Sequence, residues 1–210
     1  MKTWVFDLDN TLHDASPHIF PHINRSMTAY LQQYLQLEES AASALRMHYW
    51  HRYGATLSGL MRHHGTDPAH FLFHTHQFPE LARMVLLVPR LRHLLLHLPG
   101  RKVIFSNAPR AYVLAVLKLL RIADLFDEVM AVEQTRFCPK PQSYGFFRLM
   151  KSLHVKAAQC IMVEDSLVNL VAAKRLGMRT IWVNKGTKNS PCVDIKIRDV
   201  LQLPRVLHRL

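Results

Sequence analysis

Five short stretches of the chain are apolar at nearly every position: residues 3–6, 102–105, 129–132, 160–163 and 180–183. Runs without polar alternation are what strands require when both faces of a parallel sheet are covered. Helical stretches separate several of them. Between 109 and 121 the apolar stripe Val113, Val116, Leu117, Leu120 follows the i, i+3, i+4, i+7 spacing of one helix face, with Pro109 suited to the first helical position. Residues 141–153 and 166–176 have the same character, and Gly177 stands where a left-handed helix end is expected. Alternating strands and helices predict an α/β protein with helices layered on a parallel sheet.

Residues 14–98 break the alternation. Ile19, Ile23, Met27, Tyr30 and Tyr34 recur near the helical period, and no strand pattern follows them. The simplest organisation is an α/β core formed by residues 1–13 and 99–210, with an all-helical insertion, residues 14–98, after the first strand. The run MVLLVPRLRHLLLHL at 84–98 is interrupted by Pro89, Arg90, Arg92 and His93. It predicts an amphipathic helix returning to the core rather than a membrane span, and no membrane partner is expected.

Composition narrows the class. Of 210 residues, 49% are hydrophobic and 20% charged, which excludes a disordered chain. Cys138, Cys160 and Cys192 form no CxxC pair, as expected of a reduced protein. The two aspartates in MKTWVFDLDN occupy the place of a signal peptide's apolar stretch, which adds to a cytoplasmic expectation. The net charge of +12 is unevenly placed: residues 13–98 carry seven Lys/Arg against five Asp/Glu but twelve of the fourteen histidines. The remaining residues hold 20 basic against 10 acidic side chains, a balance that suits anionic partners.

The polar residues at the ends of the expected strands carry the chemistry. The first strand runs into Asp7-Leu8-Asp9, whose carboxylates at i and i+2 share one side of an extended chain. The second ends in Ser106-Asn107, immediately before a helix start, where a hydroxyl, an amide and free N–H groups form an anion site. Lys140 lies between two prolines ahead of another helix, and the fourth strand ends in Glu164-Asp165. In open α/β sheets this carboxyl edge is where ligands bind. Clustered carboxylates repel one another unless a cation sits among them, and oxygen-only ligands favour Mg²⁺. Together these groups point to Mg²⁺-assisted phosphoryl transfer.

The segments DLDNTL, SNAP, KPQSYGFF and VEDSLVNLVAAKRLGM, in that order and on those elements, resemble the four motifs of the haloacid dehalogenase superfamily. The resemblance implies a three-layer Rossmann-like parallel sheet with the 14–98 insertion in the place of that family's helical cap. It implies that Asp7 is the nucleophile and that Asp9 first protonates the leaving oxygen and then deprotonates the hydrolytic water. Ser106, Asn107 and Lys140 become the phosphate-binding groups. The Mg²⁺ ligands become Asp7, the Asp9 backbone carbonyl and Asp165, with Glu164 direct or through water, and Asn169 supports the site. Asp9 also favours a phosphatase, because a halide leaving group needs no proton whereas an alkoxide does.

Substrate choice is expected in the insertion. RYGATLSGL, together with DNTLHDAS, resembles the pyrimidine 5′-nucleotidase branch of that family, with Tyr53 offering a ring for base stacking and Thr56 a hydroxyl for a base edge. The expected partner is a small phosphorylated metabolite, a nucleoside 5′-monophosphate. Each feature has a plainer reading: Asp7 and Asp9 as turn caps, Ser106-Asn107 as a helix cap, Lys140 as a solvated loop residue, Tyr53 as packing. The same core also suits a sugar-phosphate or phosphoglycolate phosphatase, or a phosphomutase. From another class, the charge suits a nucleic-acid-binding protein on an inactive fold, although its basic residues are scattered and no specific nucleic-acid-reading motif accompanies them.

Overall fold

A computed structural model describes residues 2–209. The elements, in chain order, are β1 (Thr3–Phe6), α1 (Ile19–Leu35), α2 (Glu39–Tyr53), α3 (Thr56–His64), α4 (Pro68–Thr75), α5 (Leu81–Met84), α6 (Leu91–His97), β2 (Arg101–Phe105), α7 (Arg110–Leu119), β3 (Glu128–Met130), α8 (Ser143–Leu153), β4 (Cys160–Glu164), α9 (Leu167–Arg175), β5 (Arg179–Val183), β6 (Ile195–Ile197) and α10 (Leu203–Val206). They form two compact units, Met1–Asp14 with Leu86–Leu210, and Ala15–Val85.

The first unit is an α/β sheet protein. Among the described residues its six strands run in the order β3-β2-β1-β4-β5-β6, and every pairing is parallel. Val5 stands opposite Val103 on one side and Met162 on the other. These residues join Phe105, Cys160, Phe146 and Leu149 of α8, and Leu170 and Ala173 of α9, in one buried cluster. On the opposite face Trp4 and Phe6 stack with ring centroids 6.1 Å apart, and Phe126 meets Phe6 edge-on. Both faces are therefore covered, which is why these strands read as unbroken apolar runs. The chain winds outward from β1 through β2 to β3, then returns to β4 on the other side of β1. Strand order reverses between β1 and β4, and that crevice is the natural ligand site of such a sheet.

Three features differ from the reading of the sequence. The strand β6 was not expected from the sequence; it has three residues, lies at the sheet edge and carries the half-buried Lys196 at its centre. Residues 84–98 are not one helix: Met84 ends α5, Arg90 has a φ of 68°, and only Leu91–His97 forms α6. Pro89 supplies no amide hydrogen and the left-handed residue after it breaks the turn. Residues 86–98 also group with the sheet rather than with the helical unit. There α6 buries Leu91, Leu94 and Leu95 and touches the turn at Val200–Gln202.

In the second unit, α2 packs on α1 and α3, and α4 on α1. The approach of α2 to α3 is close because Gly59 has no side chain: a Cβ there would lie 2.2 Å from Tyr49 Cγ. Asp67 caps α4, accepting from the Ala69 N–H at 2.9 Å, with Pro68 at the first helical position. Among the described residues no helix is long and apolar enough to cross a membrane.

Candidate active site

The sheet fixes its polar residues at one edge by carrying ladder bonds past the strand ends. The Asp7 N–H donates to Val163 O at 3.0 Å, and the Ser106 N–H to Met130 O at 3.0 Å. Asp7 thus leaves β1 still tied to β4, and Ser106 leaves β2 still tied to β3. Glu164 is the last residue of β4, and Asp165 follows it.

Lys140 enters this group from the loop before α8. It is 1% exposed, and its Nζ donates three hydrogen bonds of 2.7 Å, to Asp7 Oδ1, Glu164 Oε2 and Phe105 O. An ammonium has three protons, so this buried cation is fully satisfied. Glu164 is similarly committed: Oε2 also accepts from Asn169 Nδ2 at 3.1 Å, and Oε1 from the Ser166 N–H at 3.0 Å. Asn169 thereby supports the site through Glu164. The Asp165 carbonyl accepts from Trp182 Nε1 at 2.8 Å, which anchors the turn.

Asp7, Glu164 and Asp165 each place a carboxylate oxygen within 4.8 Å of the other two. Three carboxylates face one ammonium, and the electrostatics reflect the imbalance. Burial and the neighbouring Glu164 push Asp7 up to about 7 despite Lys140. Burial, Asp7 and Glu164 push Asp165 up to about 9. Burial alone would lower Lys140, but Asp7 and Glu164 more than offset it and hold the ammonium above its ordinary value. An all-oxygen pocket with surplus negative charge matches a hard divalent cation such as Mg²⁺. Asp165 is freer to bind it than Glu164, which already serves Lys140, Asn169 and Ser166.

Asp9 is turned elsewhere. Its Oδ1 accepts from Tyr112 Oη at 2.6 Å and from His13 Nε2 at 2.9 Å. Its carboxylate does not join the three-carboxylate set, so its expected contribution to a metal is limited to the backbone carbonyl. Burial, with Asp9 and Asp7 nearby, keeps the Tyr112 phenol far above its ordinary pKa, as a permanent donor. Neither His13 nor Tyr112 was singled out from the sequence: His13 is one of many histidines, and Tyr112 sits one position off the apolar stripe of α7.

Two expected ligand groups, Asn107 and Thr56, also serve the fold. The Asn107 side chain is shared with the lysine loop: Oδ1 accepts from the Lys140 N–H at 2.7 Å and Nδ2 donates one of its two protons to Lys140 O at 3.0 Å, which leaves the other for a phosphoryl oxygen. It clasps the peptide that carries the lysine. Ser106 is buried, and its Oγ accepts from the Ala108 N–H at 3.1 Å, leaving its proton available to an acceptor. In the second unit, Thr56 is 5% exposed and its hydroxyl donates to Arg46 O at 3.1 Å, so it ties α3 to α2 rather than offering itself to a base. Tyr53 is half-buried; its Oη pairs with His63 Nε2 at 2.6 Å, and Arg52 and Arg62 lie 5.9 and 5.8 Å from its ring centroid.

The profile of the haloacid dehalogenase-like hydrolase family matches residues 1–177. The chain is 25% identical over 235 residues to Phosphate metabolism protein 8 of Saccharomyces cerevisiae, spanning 98% of this chain and 72% of that protein. It is 27% identical over 197 residues to a phosphoglycolate phosphatase of Colwellia psychrerythraea, spanning 87% of this chain and 84% of that one. Among solved structures, a HAD phosphatase from Thermococcus onnurineus superposes with a TM-score of 0.68 at 24% identity, over 99% of this chain and 98% of its own. The L-2-haloacid dehalogenase of Xanthobacter autotrophicus does so with a TM-score of 0.63 at 18% identity, again over 99% and 98%.

Proposed function

Because this chain belongs to the haloacid dehalogenase-like hydrolase family, we propose that it is a Mg²⁺-dependent phosphomonoester hydrolase working through an aspartyl-phosphate. The observation that carries the reading is the Lys140 ammonium, 2.7 Å from both Asp7 and Glu164 at the ends of the two strands flanking the switch point. A buried lysine holding a carboxylate at a sheet edge suits a nucleophile that must meet a phosphate dianion.

Asp7 attacks phosphorus in line, and the ester oxygen leaves as Asp9 gives it a proton. Asp9 then takes a proton from the water that attacks phosphorus and releases Asp7. The Ser106 hydroxyl and the backbone N–H groups beside it receive phosphoryl oxygens. Mg²⁺ bound by Asp7, Asp165 and the Asp9 carbonyl would neutralise phosphoryl charge, a common requirement of such transfers. Asp9 also argues against dehalogenation, since expulsion of a halide calls for no acid.

For the substrate we infer a nucleoside 5′-monophosphate, on the resemblance of the segment around Tyr53 to pyrimidine 5′-nucleotidases. Thr56 no longer supports that reading, because its hydroxyl is used within the helical unit. A second reading, phosphoglycolate or sugar phosphate, is favoured by the relatives that carry the name phosphoglycolate phosphatase over 87% of this chain. One screen tests both: phosphate release from nucleoside monophosphates, phosphoglycolate and sugar phosphates, with and without Mg²⁺. A nucleotide leading the panel in kcat/KM supports the first reading. Phosphoglycolate or a sugar phosphate preferred tenfold over every nucleotide supports the second. The absence of any Mg²⁺-dependent release would leave the inactive, nucleic-acid-binding alternative.

A further inference from the structure

Asp9 is held from two directions at one oxygen. From its own loop, the turn that bonds the Leu12 N–H to Leu8 O at 2.9 Å brings His13 back beside it, and the two residues form an isolated bridge. From the first turn of α7, 103 positions away, Tyr112 reaches the same atom. Both contacts end on Oδ1, and the Asp9 side chain keeps 14% of its surface exposed. The His13 side chain is fully buried, and its Nδ1 has no hydrogen-bond partner among the described residues. A neutral imidazole carries one ring proton; placing it on Nε2 serves Asp9 and leaves only a bare acceptor at Nδ1.

We propose that His13 and Tyr112 are positioning residues for the acid–base carboxyl, fixing Oδ1 as its carbonyl oxygen and Oδ2 as the oxygen that carries the working proton. The inference rests on the phosphomonoester reading above. A carboxyl group has two equivalent oxygens until something distinguishes them. Two donors on Oδ1 do so, because a protonated oxygen accepts hydrogen bonds far less well than a carbonyl oxygen. With Oδ1 occupied, the O–H of Oδ2 is directed to the substrate. In the first half-reaction a bond forms between an Asp7 oxygen and phosphorus, the bond from phosphorus to the ester oxygen breaks, and the Oδ2 proton passes to that oxygen. In the second half-reaction the same oxygen, now ionised, takes the proton back from water.

A group that merely stabilised the fold would affect all substrates alike. A group that orients an acid affects those whose leaving oxygen needs the proton. The test compares kcat/KM for an alkyl phosphate with that for p-nitrophenyl phosphate, whose leaving group departs readily as an anion. It uses the full chain with Mg²⁺ and the variants Tyr112→Phe, His13→Leu and His13→Gln. General acid catalysis contributes about 10²–10⁴-fold, so Tyr112→Phe and His13→Leu are expected to lower the alkyl-to-aryl ratio by about tenfold or more, in the direction of Asp9→Asn. His13→Gln, which keeps a donor, is expected to recover part of the ratio. Should either buried substitution prevent folding, the surviving variant and His13→Gln still report the ratio. Equal losses on both esters, or an unchanged ratio, overturn the positioning role while leaving the phosphatase reading intact. A wild-type chain that hydrolyses neither ester overturns both.

Discussion

The Asn107 amide grips the Lys140 peptide on both sides, accepting from its N–H at 2.7 Å and donating to its carbonyl at 3.0 Å. A residue at the end of β2 thereby sets where the lysine enters the carboxylate cluster. Asn107→Ala is expected to lower kcat at least tenfold and to cost about 1–3 kcal/mol of stability, the usual cost of leaving buried hydrogen-bonding groups without partners. Steady-state phosphate release and denaturant unfolding measure the two effects. Wild-type turnover in a folded Asn107→Ala protein would remove this role.

Lys140 itself is more than an anchor. Lys140→Met leaves Asp7 and Glu164 buried without their cation, and breaking a buried pair in this way costs about 3–5 kcal/mol. Adding Glu164→Gln to that variant is expected to restore part of the loss, since one of the unpaired charges is then gone. Unfolding of the single and double variants checks the coupling; strict additivity would contradict it.

Stability and pH are linked through the same cluster. Asp7 and Asp165 are raised in the folded chain to about 7 and about 9. Groups raised on folding contribute stability that is complete below their unfolded values and is lost as pH climbs through the folded ones. The metal-free protein is therefore expected to lose stability as pH rises from the ordinary carboxylate value of 3.8 through about 7 and about 9. Mg²⁺ favours the ionised carboxylates and should flatten this fall. At a hundredfold excess over its Kd it contributes about 2.7 kcal/mol, or roughly 5–10 °C in a chain of this size. Melting curves across this range with EDTA or Mg²⁺ decide it; a metal-free Tm that climbs with pH would contradict the assignment.

In the helical unit, Gly59→Ala puts a methyl group into the Tyr49 ring. Overpacking of this kind costs about 1–3 kcal/mol. Thermal unfolding reads the loss, and an unchanged Tm would mean that α2 and α3 separate without cost.

Much of this architecture is legible in the chain because burial on both sheet faces leaves no polar alternation, and because the motif residues stand where the apolar runs stop. β6 was illegible for the converse reason: three residues at an edge, Lys196 among them, do not rise above the background. The acids and Ser106 could be placed by their position at strand ends, and Lys140 by its place between two prolines ahead of a helix. What Asn107 does there could not, since either a phosphate or a peptide satisfies an amide equally well. Tyr112 was hidden because its partner lies 103 positions away, and His13 because nothing local sets it apart from the histidines that follow.

The proposed mechanism requires a phosphoryl group resting covalently on Asp7. Quenching turnover in acid and reducing the protein with borohydride converts an acyl phosphate at an aspartate to homoserine, which peptide mass spectrometry locates by position. With substrate and Mg²⁺, homoserine is expected at position 7, and none when Mg²⁺ is omitted or when Asp7→Asn replaces the wild type. Rapid phosphate release with residue 7 always recovered as aspartate, or the label found at Asp9 or Asp165 instead, would contradict it.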